Sequence, residues 1–285
     1  MTLWPPPAHG DPVGVRSRGV LPTIEGHSTR APVLRIYDSL GLEAERIGPH
    51  IPGAEGILLM SHGFTRSAIS YVAFARTAYG DGAGGFLAIV SRDRTSRPAV
   101  RTEPYVPFAL TFAPDGTIWA AGLQKDDSGR DAGDSASYFV VQRFDTQGRQ
   151  LGGAVPRSTF SGPVTPVDTS FFVTSKDRVG WVSPLAHRYI EFALDGKLLA
   201  SYHFTYSYTD LNGGALCDDE TLWMSLRERP GPAGQQQSAL ASFDRATGTW
   251  HKGATQPFAY LYGCSETTLI ASPASWRSLN WLAVK

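Results

Sequence analysis

The chain has little cysteine, little asparagine and no surplus of charge. Two cysteines among 285 residues are too few for a disulfide scaffold or for a structural zinc site. Lys and Arg number 26, as do Asp and Glu, so the formal charge is zero. A nucleic-acid or anionic-membrane partner needs a basic excess and is not expected. No apolar run approaches the roughly 18–20 residues that cross a bilayer, so no membrane span is expected. The opening twelve residues, MTLWPPPAHGDP, lack the basic start and apolar stretch of a secretory signal. As written, the sequence reads as a cytoplasmic, soluble protein; a start lying further upstream would make it extracytoplasmic. Catalytic signatures are sparse too. There is no Gly-x-Ser-x-Gly elbow, and His187, His203 and His251 are scattered without metal-ligand spacing.

What the chain has in quantity is turn formers. Glycine reaches 30 and proline 20, while charged residues make up only 18%. This predicts many turns in a globular protein, short of a low-complexity composition. Pro5, Pro6, Pro7, Pro12 and Pro22 crowd residues 1–30, which read as an extended arm ahead of one domain over 31–285.

That domain repeats. An aromatic residue, usually followed by a polar one, has Gly four or five places later. The copies begin at Tyr37, Phe144, Phe192 and Phe243 and end at Gly41, Gly148, Gly196 and Gly248, with a degenerate copy around Val90 to Asp93. Alternating segments such as Tyr138 to Arg143 precede them, and alternation followed by Asp-x-x-Gly predicts a hairpin. A second unit interleaves: Asp115-Gly116-Thr117-Ile118-Trp119 aligns with Asp177 to Trp181 and Asp219 to Trp223. Weaker copies lie at Glu266 to Ile270 and Ala68 to Val72. Two hairpins per period of about 50 residues make a four-stranded propeller blade. The expected fold is all-β, a single β-propeller of four-stranded antiparallel blades with almost no helix. Inner strands are expected near Ile57, Phe108, Phe171, Gly214 and Ala259. That makes five blades, or six if the proline-rich arm adds strands. The hairpin Val33 to Ile47 is expected to share a blade with the C-terminal strands and so close the ring, leaving no raw sheet edge.

Ala113-Pro114-Asp115-Gly116-Thr117-Ile118-Trp119-Ala120-Ala121 resembles the blade motif of bacterial NHL-type, streptogramin-lyase-like and regucalcin/gluconolactonase-like propellers. The resemblance covers about residues 33–284 and is one of blades, which speaks to fold rather than to function. It implies a ligand site at the mouth of the central channel, where loops entering the inner strands gather. Glu55, Asp168 and Asp210 fall just before inner strands. Asp168 and Asp210 share a register relative to Trp181 and Trp223. They read as cation ligands or an acid/base pair, or as caps for backbone amides where strands begin.

The regucalcin-like resemblance also implies one divalent cation, calcium or similar, held by a Glu, Asn residues and an Asp. Ala54-Glu55-Gly56-Ile57 matches the Glu segment and Leu211-Asn212-Gly213-Gly214 the Asn segment, which would make Glu55 and Asn212 metal ligands. There the match stops, because Asn280 is the only other asparagine and Pro257 to Tyr262 contains no Asp. His62 and Arg66, in the stretch Ser61 to Ser67, read as a solvated hairpin tip on the opposite face. Asp127, Asp131 and Asp134 resemble a calcium loop without the Glu that closes one, and Asp11-Pro12 matches a glycosidase opening only by coincidence. Cys217 and Cys264 occupy equivalent repeat positions and read as two buried free thiols, since neighbouring inner strands rarely bring equivalent Cα atoms within about 7 Å.

Two functions follow. One is a monomeric, non-catalytic bacterial propeller presenting its mouth loops to a protein, peptide or carbohydrate. The other is a metal-assisted hydrolase or lyase built on Glu55, Asp168, Asp210 and Asn212.

Overall fold

The computed structural model describes residues 11–12, 21–25, 33–37, 43–47, 61–64, 71–75, 85–91, 100–126, 132–133, 137–160, 170–203, 210–217, 219–227, 238–256, 258–265, 268–273 and 280–283, with side chains mostly between 85 and 253. The fold is a β-propeller of antiparallel sheets, and no α-helix occurs among the described residues. The first sheet holds β1 (Asp11–Pro12), β2 (Leu21–Glu25), β3 (Val33–Tyr37) and β4 (Glu43–Ile47). The second holds β5 (Ser61–Phe64), β6 (Tyr71–Ala75), β7 (Phe86–Ser91) and β8 (Val100–Arg101). The third runs β9 (Tyr105–Phe112), β10 (Ile118–Gln124), β11 (Phe139–Phe144) and β12 (Gln150–Pro156). The fourth runs β13 (Phe171–Thr174), β14 (Arg178–Ser183), β15 (Arg188–Ala193) and β16 (Leu198–His203). The fifth runs β17 (Asp210–Leu216), β18 (Leu222–Arg227), β19 (Ser238–Asp244) and β20 (Thr249–Gln256). Among the described residues a last unit follows, β21 (Phe258–Ser265), β22 (Thr268–Pro273) and β23 (Asn280–Ala283), hydrogen-bonded through β21 to β17 so that it continues the fifth as one seven-stranded sheet. The first strands of neighbouring sheets touch in succession, β5 with β9, β9 with β13, β13 with β17 and β17 with β21.

The described pairings add strands ahead of the first hairpin. β3 and β4 pair with β2 inside their own sheet, and no described pairing joins them to β21–β23. Among the described residues the strands make five hydrogen-bonded sheets, one of them seven-stranded, with β1 and β2 drawn from the proline-rich segment. The alternation Leu21-Pro22-Thr23-Ile24-Glu25 was obscured by Pro22, which lacks an N–H for the ladder and argues against a strand. A second difference concerns His62, which lies in β5 opposite Phe74 of β6 rather than at a hairpin tip. Gly63 beside it had suggested a turn. Ile57 and Arg66 lie outside the described residues.

Burial follows the strands. β10 is buried along almost its whole length, whereas outermost β12 and β16 are largely exposed. Trp119 and Trp181, at equivalent repeat positions, are fully buried. The position before each Trp holds Ile118, Gly180 and Leu222 in turn. Ile118 and Leu222 fill core space, but a Cβ at Gly180 would meet the Tyr189 ring at 2.7 Å and Val173 at 2.8 Å. In the fourth sheet, therefore, Tyr189 takes the volume that an aliphatic side chain takes in its neighbours.

The recurrent Asp makes the turns. Asp115, Asp145, Asp195, Asp219 and Asp244 each accept, at 2.8–3.0 Å, the backbone N–H two residues on, which is the Asx-turn geometry. Gly148 then adopts φ +81°, in the left-handed region that glycine enters without a Cβ penalty.

The two cysteines correct the expectation of free thiols: Cys217 and Cys264 form a disulfide with Cα atoms 5.2 Å apart. The inner strands here are hydrogen-bonded, with Gly213 of β17 paired in parallel to Leu261 of β21. That pairing carries positions three and four residues further on to nearly the same level, at the ~5 Å spacing of adjacent strands.

Candidate functional site

The sequence places its candidate site where inner strands begin. Asp210 opens β17 opposite Arg227, and Leu211 pairs with Leu226. The ladder then loses register until Gly214 meets Met224. Asn212 and Gly213 occupy this β-bulge, Gly213 with φ +81° and paired on its other side to β21. A bulge leaves residues outside the regular ladder and is common beside binding sites. Two of the four expected residues thus share the entry of one inner strand, at the junction of two sheets. Glu55 and Asp168 lie outside the described residues, as do Asp127, Asp131 and Asp134.

The resemblance implies a divalent cation on Glu55 and Asn212, and of these two only Asn212 falls among the described residues. Among the described residues, no group of three or more His, Cys, Asp or Glu could hold a metal ion. His203 and His251 are exposed on the outer strands β16 and β20. His187 sits in the β14–β15 turn with φ +50°.

The most concentrated polar chemistry lies elsewhere, and sequence reasoning missed it. Glu191 in β15 has a side chain only 3% exposed. Its Oε1 accepts from Arg245 Nε at 2.7 Å and from the Tyr189 hydroxyl at 2.6 Å, with Arg245 Nη2 also 2.6 Å away. Arg178 lies 3.5 Å from Oε2 and reaches on to Glu220 at 3.0 Å. Glu220 itself has φ +67°, a conformation that costs about 1–3 kcal/mol outside glycine and that surrounding contacts must hold.

Arg178 and Glu191 belong to the fourth sheet, Glu220 and Arg245 to turns of the fifth. Glu220 lies in the turn at the far end of β17 from Asp210. The cluster therefore binds two sheets together at the hairpin end, remote from the strand entries. Burial pushes the Tyr189 phenol well above its ordinary 10.0, and the neighbouring Glu191 carboxylate pushes it further. Tyr189 thus remains a neutral donor. A carboxylate so enclosed fastens the two sheets to each other. The signals that could have revealed it are Glu191 in the otherwise apolar run Tyr189-Ile190-Glu191-Phe192, and Gly180 where the repeat puts Ile or Leu.

No family model and no curated protein matches this chain. Solved structures do. Virginiamycin B lyase from Staphylococcus aureus aligns at TM-score 0.53 and 12% identity over 100% of this chain and 99% of its own. A streptogramin B lyase aligns at 0.56 and 12% over 100% and 87%, and the periplasmic gluconolactonase of Pseudomonas aeruginosa at 0.51 and 14% over 97% and 81%. At such identities the likeness carries the propeller fold and bears out the blade-level resemblance to lyase- and lactonase-like propellers; it carries no activity.

Proposed function

We propose that this chain is a binding propeller whose ligand, a peptide, protein segment or carbohydrate, meets the entry end of the inner strands, with Asp210 and Asn212 among its contacts. The observation that carries this reading is the bulge at Asn212–Gly213, on an inner strand where two sheets join. It is strengthened by the location of the buried ionic cluster at the opposite, hairpin end, where it is consumed in holding sheets together. The test is a screen of the full chain against oligosaccharide and peptide arrays. A hit is expected to weaken at least about tenfold, 1.4 kcal/mol, in Asn212→Ala. Turnover of a lactone or glycoside that disappears in Asp210→Ala would replace this reading.

A second reading is a metal-assisted hydrolase or lyase. It is favoured by the lyases and the gluconolactonase among the similar solved structures, which match over nearly the whole chain. Calorimetry with Ca²⁺, Mg²⁺, Mn²⁺ and Zn²⁺ tests it, and the absence of any binding removes it.

A further inference from the structure

Successive sheets are fastened by different chemistry. Between the third and fourth, Trp119 packs on Phe192 with ring centroids 5.3 Å apart. Arg143 lies over Trp119 and donates to the Asp195 carbonyl of the next sheet's turn. Between the fourth and fifth, the Glu191 cluster acts together with Phe243, whose ring meets Tyr189 at 5.9 Å and Tyr202 at 4.7 Å. The fifth and last are joined otherwise. Among the described residues, their backbones share one parallel pairing, Gly213 with Leu261. Among the described residues, their common buried cluster is Ala215, Cys217, Leu261 and Leu269, with Trp223, Leu240 and Cys264 packed against it. Across this seam runs the Cys217–Cys264 disulfide.

We infer that this disulfide is a redox latch for the last sheet, and that the protein works in an oxidising compartment where the latch stays closed. Oxidised, it pins β21 to β17. A small thiol reductant opens it by thiol–disulfide exchange. Two thiols supply two electrons and two protons, the S–S bond breaks, two cysteine thiols form and the reductant leaves as its own disulfide. β21–β23 then lose their covalent tie, while the third and fourth sheets keep the contacts that hold them. Cys264, only partly buried, is the side from which a reductant approaches; Cys217 is 2% exposed. The latch also bears on the mouth, because the bulge at Asn212 lies on the strand it secures, but it stands whether or not that mouth binds a ligand.

The test uses the full chain with and without dithiothreitol. Thiol alkylation read by intact mass is expected to count no free thiol before reduction and two after. Hydrogen exchange is expected to rise about tenfold or more in residues 258–265 and 268–273 on reduction, with less than about twofold change in 118–124 and 178–193. The double variant Cys217→Ser with Cys264→Ser should show the reduced pattern without reductant. Free thiols in the native protein, unchanged exchange in β21, or a uniform rise throughout the chain would each overturn the latch. So would a double variant that fails to fold, because the latch holds one sheet and not the whole fold.

Discussion

Glu191 is a charge placed where charge is expensive, and its surroundings explain why it persists. One carboxylate oxygen takes hydrogen bonds from a guanidinium and a phenol, and a second guanidinium stands beside the other oxygen. Removing one member leaves the rest buried and uncompensated. Glu191→Ala should therefore cost about 3–5 kcal/mol, read as a lower midpoint in urea unfolding. Tyr189→Phe deletes only a donor to a charged acceptor and should cost about 1.5–3 kcal/mol. The same tyrosine gives an alkaline signature. Burial raises the Tyr105 and Tyr189 phenols well above 10.0 in the folded chain, whereas unfolding returns them to that value. Their contribution is thus complete below pH 10.0 and is lost as pH climbs toward the folded values. Stability should decline above about pH 10, and Tyr189→Phe should make the decline shallower; equal slopes in the two proteins would sink the assignment. None of this was legible in the sequence as a constellation. Arg178, Glu220 and Arg245 reach their partners across separations of 13, 42 and 54 residues, which no local pattern encodes.

At the scale of elements, the hairpins were the legible part because their cause is local. An Asp that accepts the amide two residues on, followed by a left-handed Gly, needs only a few consecutive residues to operate. Gly148 illustrates the constraint twice over, through its positive φ and because an added Cβ would sit 2.7 Å from Val100 of β8 in the preceding sheet. Gly148→Ala should lower stability by about 1–3 kcal/mol, measured by thermal or urea unfolding, with Gly116→Ala, where nothing crowds the position, costing less. Proline misled in the opposite direction. Pro22 pairs opposite Ile36 of β3 but lies just past the β1 ladder, which ends with Pro12 opposite Thr23, an edge-like place where a missing N–H is tolerated. The candidate site was legible as positions, Asp210 and Asn212 at a strand entry. The bulge that sets Asn212 out of register was not, since it arises from how β17 meets β18 and β21 together.

For the whole molecule, the propeller followed from the repeat, whereas the joints between sheets did not. The repeat describes what each sheet shares with the others. A cation over an indole, an ionic cluster and a disulfide are what each joint has alone. The disulfide shows the difference most plainly. Equivalent positions in successive sheets were expected to lie too far apart, yet a parallel hydrogen-bonded seam brings them to 5.2 Å. A cross-link spanning 47 residues restricts the unfolded chain by about 4 kcal/mol on the chain-entropy account. Reduction should lower the urea midpoint accordingly, and an unchanged midpoint would count against that share.

The same separation has a consequence for biogenesis. Cys264 is synthesised 47 residues after Cys217, so at the usual ~5–20 residues per second the earlier thiol waits roughly 2–9 s for its partner. During that interval β18, β19 and β20 can pair onto β17, while Cys217 keeps open the side that Leu261 and Leu269 later cover. The covalent bond can form only once β21 lies beside β17, so the closing of this seam and its oxidation fall together near the end of synthesis.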